Sequence, residues 1–403
     1  MRISTASVYQ DAVTNFNNAQ SAIAQSTNEI SSGNALTSPS VNPTASAQVL
    51  VAKQGQAINT QFGVNRGNAN STLSTTDGIL AGVTNLMQSL ESQIVQANSG
   101  SLNASDRSSI AMQLQGTMNQ LMTLANSTDS NGNYVFSGTT VGTTPYTATS
   151  NGAVYNGNQE TQNIQVATNQ QLPVTMVGSA VFGNIQVSPS AYFSTPDTGN
   201  ISAATMSNGT VTNSALVTGD NYQVSFTGTP ATNYSVTDTS TGSVVVPSTA
   251  FASPQTVSVG GMNYTINGAP AATDKFTMQP GNQNIFQVLT NAITALKQPA
   301  GTANAAGQTN LSITLSQANS SISASLNNVL DTRDQIGNSM QQISSLNSVG
   351  QTLDLSFTTT ISNLQDTNLA QAASQLALEQ TTYKAAQAAF ASTSQLSLLS
   401  MLR

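Results

Sequence analysis

Apolar residues recur at every seventh position near both ends of the chain. Tyr9, Phe16, Ile23 and Ile30 are seven apart, and Ala12, Ala19 and Ser26 each follow one of them by three residues. Alternating large and small layers at this period predict a helix with one narrow seam, the kind that packs against another helix. Ser31-Ser32-Gly33-Asn34 ends the pattern, and Pro39 and Pro43 predict an extended stretch after it. A second seam runs through Leu73, Leu80, Met87 and Ile94, with Thr76, Val83, Leu90 and Ala97 between them. Asn98-Ser99-Gly100 marks its end, and Ser105 reads as the N-cap of a third helix carrying Ile110, Leu114, Leu121 and Leu124.

From about residue 131 to 281 the period changes to two. Tyr222, Val224 and Phe226 alternate with polar residues, as do Tyr234 and Val236, Val257 and Val259, and Tyr264 and Ile266. That alternation predicts half-buried strands. Asn131-Gly132, Asn156-Gly157, Thr241-Gly242 and Asn267-Gly268 supply turns between them, so the block reads as antiparallel β, in two lobes meeting near 190–215.

Helical spacing then returns. Phe286, Leu289, Ile293 and Leu296 open it, and Leu315, Ile322, Val329, Ile336 and Ile343 form a long seam. The last segment carries Leu369, Leu376, Tyr383 and Phe390, again seven apart, with Ala372 and Ala386 in the small layer and Glu379 interrupting it. Helices at opposite ends of a chain share a bundle only if the chain goes out and returns. The expected fold is therefore α+β: an elongated helical bundle or coiled coil built from both termini, with an inserted antiparallel β domain. Segments 1–45 and 360–403 are the expected terminal coiled-coil helices, 46–130 and 282–359 the helical rod, and 131–281 the β domain. The inner seams read as ordinary intramolecular packing. The terminal seams are thin and rich in Ala and Ser, too small for a stable two-helix pair. They are expected to be completed by neighbouring subunits and to be disordered in the free monomer.

Composition narrows the chemistry. Only 6% of the residues are charged, the net charge is −7, and Cys, His and Trp are absent. Without Cys there is no disulfide, thiolate metal site or cysteine nucleophile, and without His the usual general base and commonest metal ligand are missing. No Lys or Arg occurs between Arg107 and Lys275, which argues against a nucleic-acid partner. An uncharged-polar, acidic, cysteine-free composition is common in secreted bacterial surface proteins. No apolar run is long enough for a membrane span, and Met1-Arg2-Ile3-Ser4-Thr5 lacks the apolar core of a cleavable secretory signal.

Three patterns could carry chemistry, and each has a plainer reading. Asp331 and Asp334 flank Arg333 at helical spacing, an acid/base dyad on paper, but they read as a solvated helix face. Asp129-Ser130-Asn131-Gly132-Asn133 has the start of a calcium loop, but Thr140 stands where a bidentate Glu is needed, so it reads as a hairpin turn. Gly260-Gly261 lacks the helix a phosphate loop requires and reads as a bulge or tight turn. No cofactor or metal is implied, and the sequence points away from an enzyme.

The same residues resemble the hook-associated protein 3 family, the FlgL-type members of the flagellin superfamily. Met1-Arg2-Ile3-Ser4-Thr5 is similar to that family's opening, and Leu396-Ser397-Leu398-Leu399-Ser400-Met401-Leu402-Arg403 to its close. Ile30-Ser31-Ser32-Gly33 with Pro39 and Asn42-Pro43 resembles its segment after the first helix, although Val41-Asn42 replaces a paired Asp. The most specific match is Asn131-Gly132-Asn133-Tyr134-Val135-Phe136-Ser137-Gly138-Thr139, which resembles its hairpin motif. In the β block Gly219 to Tyr222 and Asp274 to Thr277 match its Gly-Asp-x-Tyr and Asp-x-Phe-Thr pieces, and matches beyond them are loose.

The resemblance implies a structural subunit of the bacterial flagellum, exported through the flagellar type III channel without a cleavable signal. It would form a ring of copies of itself between hook-associated protein 1 and the flagellin filament. It also implies an export chaperone on the C-terminal helix. On this reading Tyr9, Phe16, Ile23, Ile30, Leu369, Leu376, Tyr383 and Phe390 are the assembly residues, ordered as adjacent subunits complete their seams. Two alternatives stand beside it: filament flagellin itself, and a secreted adhesin presenting residues 190–281 on a helical stalk.

Overall fold

A computed structural model describes residues 5–129, 131–183, 192–197, 199–280, 283–297 and 305–401, with side chains at 5–9, 305–307 and 392–401 outside the description. Three helices come first: α1 (Thr5–Ser32), α2 (Pro43–Ala97) and α3 (Ala104–Ala125). Two hairpins follow, β1 (Tyr146–Thr149) with β2 (Gly152–Tyr155) and β3 (Asn163–Ala167) with β4 (Gln170–Pro173), then the short α4 (Gly178–Phe182). Nine strands come next: β5 (Tyr192–Pro196), β6 (Thr205–Met206), β7 (Thr210–Val211), β8 (Tyr222–Thr227), β9 (Asn233–Asp238), β10 (Val244–Ala250), β11 (Gln255–Val259), β12 (Met262–Asn267) and β13 (Lys275–Pro280). The chain returns to helix in α5 (Ile285–Lys297), α6 (Ala305–Gln365) and α7 (Leu369–Met401). The α+β architecture is thus as expected, with long terminal helices and a central antiparallel β region.

Contacts divide the chain into two units, residues 1–66 with 344–403, and residues 67–343. The second unit holds most of the core. Every large member of the two inner seams is buried: Leu73, Leu80, Met87 and Ile94 from α2, and Leu315, Ile322, Val329, Ile336 and Ile343 from α6. The small layer of the α2 seam, Thr76, Val83, Leu90 and Ala97, is buried as well. α3 contributes Ile110, Leu114 and Leu121, and α5 contributes Phe286, Leu289, Ile293 and Leu296. Seven-residue spacing here has its ordinary meaning, a closed seam inside one chain. At the surface of the same unit, Arg333 pairs with Asp77 across α6 and α2 at 2.8 Å, while Asp331 and Asp334 are exposed. The neighbours in sequence are not the ionic partners, which only the helix pairing reveals.

Two local readings are corrected. The cap of α3 is Asn103, not Ser105. Its side chain accepts from the Asp106 N–H, and the Asp106 carboxylate accepts in return from the Asn103 N–H, a reciprocal capping box. Pro43 does not keep the chain extended but is the first residue of α2, where its missing N–H costs nothing. Asn42 caps that turn by accepting from the Ala45 N–H at 3.0 Å.

The β region has two parts. In the first, Phe136, Tyr146, Phe182 and Phe286 form an aromatic cluster that fixes α4 and the β1–β2 hairpin on α5. Asn126, at the end of α3, holds Tyr146 with a pair of hydrogen bonds to its backbone. In the second, a five-stranded sheet of order β10-β9-β8-β13-β5 and a smaller sheet of order β11-β12-β6, with β7 also on β12, enclose a core. Tyr222, Val224 and Phe226 face inward from β8, and Tyr264 and Ile266 from β12, as the alternation requires. Gly260 and Gly261 form the two-residue turn between β11 and β12, both at positive φ, the hairpin conformation that Gly adopts without strain.

Candidate assembly surface

The terminal helices are placed by a short clasp. α1 stops where Gly33 takes a positive φ of 71° and donates to Glu29 O. The chain then pairs with the linker between α6 and α7: Ala35 N–H donates to Gln365 O at 2.7 Å and Thr367 N–H to Gly33 O at 2.9 Å. Asn368 restarts the helix by accepting from the Gln371 N–H. Both terminal helices therefore leave from one point and run side by side in opposite directions.

Their seam is aromatic at one end and polar at the other. The Phe16 ring meets Tyr383 and Phe390 edge-on, each with centroids 5.7 Å apart. Further along, the Ser26 hydroxyl donates to the Glu379 carboxylate at 2.8 Å, and Gln375 donates to its other oxygen. The carboxylate that interrupts the seam in the sequence is thus met by the small residue opposite it. Only Asp11, Glu29, Glu379 and Lys384 carry charge in these two helices.

The structure brings Phe16, Tyr383 and Phe390 into contact. Ile23, Ile30 and Leu376 are half-buried. Leu369 is 56% exposed and lies outside any seam, and the Tyr9 side chain falls outside the described residues. The contrast with the inner bundle is sharp. The large residues of those seams are all at most 1% exposed, whereas no large described seam residue of α1 or α7 is buried; only the small Ser26 and Ala372 are. Val13 and Leu378 add exposed apolar surface.

Between clasp and bundle lies a stretch that periodicity missed. Residues 43–66 of α2 and 344–365 of α6 pair antiparallel through a polar layer rather than a leucine seam. Arg66 Nε donates to Asn347 at 2.7 Å, Asn59 to Gly350 O at 2.8 Å, and Gln56 to Asp354 at 3.0 Å. Glycine notches admit the large side chains. A Cβ on Gly350 would collide with the Arg66 guanidinium, and one on Gly55 would sit 2.8 Å from the Phe357 ring. Burial lowers the Arg66 pKa from its ordinary value. The available signal was two glycines inside long helices, a position that needs a packing reason.

The hairpin motif has a structural explanation of its own. The Asp129 carboxylate accepts from the Asn131 and Asn133 N–H groups, both at 2.8 Å, which closes the turn. Phe136 is buried in the aromatic cluster, and Gly138 sits at a φ of 72° under Asn158 and Glu160. Among the described residues no cluster of three metal-ligating side chains occurs, and no helix is long and apolar enough to cross a membrane.

Comparison with known proteins agrees with this arrangement. Residues 3–141 match the model of the bacterial flagellin N-terminal helical region. Residues 195–280, which contain most of the second β part, match the D2-like domain of flagellar hook-associated protein 1. Over its whole length the chain is 26% identical to flagellar hook-associated protein 3 of Salmonella typhimurium, covering 100% of both chains. The corresponding Escherichia coli K12 protein is also 26% identical, with 100% of this chain and 99% of that one covered. Among solved structures, FlgL of Xanthomonas campestris superposes with a TM-score of 0.63 at 26% identity, over 77% of this chain and 99% of that one. Hook-associated protein 3 of Legionella pneumophila gives 0.63 at 26% identity, over 78% and 98%.

Proposed function

We infer that the chain belongs to the hook-associated protein 3 family and is a structural subunit of the bacterial flagellum, at the junction of hook and filament. The full-length sequence match to two proteins of that name, with the fold likeness over about three quarters of the chain to FlgL of Xanthomonas campestris and hook-associated protein 3 of Legionella pneumophila, carries the conclusion. It associates with other flagellar proteins. In finer detail, we propose that copies form a ring seated on hook-associated protein 1 and followed by flagellin. We further propose that the protein is exported without a cleaved signal, with a chaperone on α7 before export. The match of residues 195–280 to a domain of hook-associated protein 1 favours a module shared among junction proteins over an adhesive lobe. No chemistry is assigned to it; its work is done by surfaces.

The mechanism we propose is bundling on assembly. Phe16, Ile23, Ile30, Leu376, Tyr383 and Phe390 bury too little apolar surface in one chain to offset the entropy of ordering two helices, and Tyr9 and Leu369 are the other two positions proposed to meet a neighbouring subunit. Neighbouring subunits complete the seam, and order arrives with incorporation. The half-buried state of the described seam supports this reading. Scarcity of charge favours it too, since an unpaired charge enclosed between subunits is costly.

Deleting the gene tests the reading. Hooks are expected to persist while flagellin is shed into the medium and motility is lost, with recovery on complementation. Filaments that stay attached in the deletion strain would overturn it.

A further inference from the structure

The two-sheet sandwich has a core of its own. Its buried cluster runs from Tyr192 to Met278 and takes in no side chain from any α-helix. The chain enters the sandwich at Tyr192 and leaves it at Pro280, which are paired residues of β5 and β13. A separate core with adjoining ends is the mark of an inserted domain. Among the described residues no strand of the sandwich lies closely along a helix, whereas β2 does so on α5.

One strand seats the sandwich on the helices. β5 is an edge of the five-stranded sheet, and its side chains alternate between two faces. Tyr192 goes to the core, and the Ser194 hydroxyl donates to Met206 O within the sandwich. Phe193 and Thr195 point the other way, toward Val288 of α5 and Thr314 and Ala318 of α6. Phe193, 7% exposed, is the apolar plug of this joint. Beside it remains a gap of about 20 Å³, room for a single water, so the two surfaces do not close fully on each other. The polar half of the joint is a three-residue node. Gln317 of α6 donates to Ser194 O at 2.8 Å and to Asn208 Oδ1 at 3.0 Å, and the Ser194 N–H donates to the same Oδ1 at 3.3 Å. Both backbone groups of Ser194 on the open edge of β5 are thereby engaged, one of them by a helix.

We propose that Gln317 is the positioning residue of the sandwich: it fixes the angle at which this separately cored domain stands on α5 and α6, and its loss frees the domain to swing about β5 without unfolding. Phe193 holds the domain on, and the Gln317–Ser194–Asn208 node aims it. A single ring in a seat that contains a gap resists separation but not rotation. Two hydrogen bonds from one amide to two separate parts of the sandwich, the edge of β5 and the turn between β6 and β7, define a direction. The part of the chain that matches the D2-like domain of hook-associated protein 1 is thus presented at one angle. The device is complete within one chain and does not depend on the flagellar role.

The chain contains no cysteine, so introduced thiols are the sole ones. Thr256→Cys in β11 and Asn327→Cys in α6, both exposed, carry spin labels on the full chain, and double electron–electron resonance reads the distance between them. With Gln317 in place a single narrow distribution is expected. Gln317→Glu keeps the size of the side chain, but a carboxylate only accepts, so both bonds to the sandwich are lost. Its distribution should broaden or shift while the thermal midpoint and the sheet signal in circular dichroism stay unchanged. Gln317→Ala should behave in the same way. Distributions in both variants as narrow as that of the parent chain, and at the same distance, would overturn the proposal, because packing alone would then set the angle. A broad distribution with Gln317 intact would overturn it too. So would loss of the sheet signal in both variants, which would make Gln317 a part of the fold and not of its aim.

Discussion

At the scale of single residues, the glycines separate positions where space decides from those where it does not. Gly138 shows the first kind. Its φ of 72° is in the left-handed region, and a Cβ there would lie 2.7 Å from Glu160 O as well as against Asn158. Gly138→Ala is expected to destabilise the unit of residues 67–343 by about 1–3 kcal/mol, through strain and overpacking together. Thermal unfolding of the purified chain measures this, and an unchanged midpoint contradicts it. The residue belongs to the segment Asn131–Thr139, whose resemblance to the hairpin motif was legible in the sequence. Why the motif carries a glycine at 138 was not, because Asn158 and Glu160 are some twenty positions away.

At the scale of elements, the seams and strands were legible wherever one side chain type repeats at one period. The buried heptads of α2 and α6 and the alternating strands β8 and β12 follow the pattern of the chain closely. Residues 43–66 and 344–365 were not legible, since their interface alternates Gly with Arg, Asn and Phe and so has no apolar period. The sandwich also carries a pH signature. Burial pushes the Tyr192 phenol up to about 12, with Tyr222 adding to the effect, and raises Tyr264 by the same cause. Burial likewise raises Tyr146 in the aromatic cluster. A phenol ordinarily ionises near pH 10. These groups therefore contribute stability that is complete below about pH 10 and is lost as pH climbs past it through their raised values. Tyrosinate absorbance and circular dichroism should show this subset ionising only as the sheet signal collapses. Titration of all nine tyrosines near pH 10 with the sheets intact would contradict it.

At the scale of the whole molecule, stability is unevenly allotted. Residues 67–343 enclose nearly all of the fully buried side chains, and the terminal pair is held by edge-on rings and one buried serine. Phe390→Asp is accordingly expected to leave the unfolding of the inner unit unchanged while abolishing incorporation into the flagellum. Calorimetry of the free protein and motility of the cells report the two halves of that statement. Normal swimming would count against the assembly role of the seam. The two-unit division emerges only from contacts, whereas the equal period of all the seams conceals it.

The clasp after α1 has a consequence for the order of events. Asn34 bridges to Asp366, so 366 − 34 = 332 positions separate the partners. Closing so long a loop in an unfolded chain costs about 5 kcal/mol by its length dependence alone. Once residues 67–343 have condensed, only the two flanks remain to be drawn together, and that entropic toll falls. The clasp is therefore a late event: a polypeptide threaded out from either end has no partner for Asn34 until nearly all of it has emerged, and a chain stalled in transit stays unlatched.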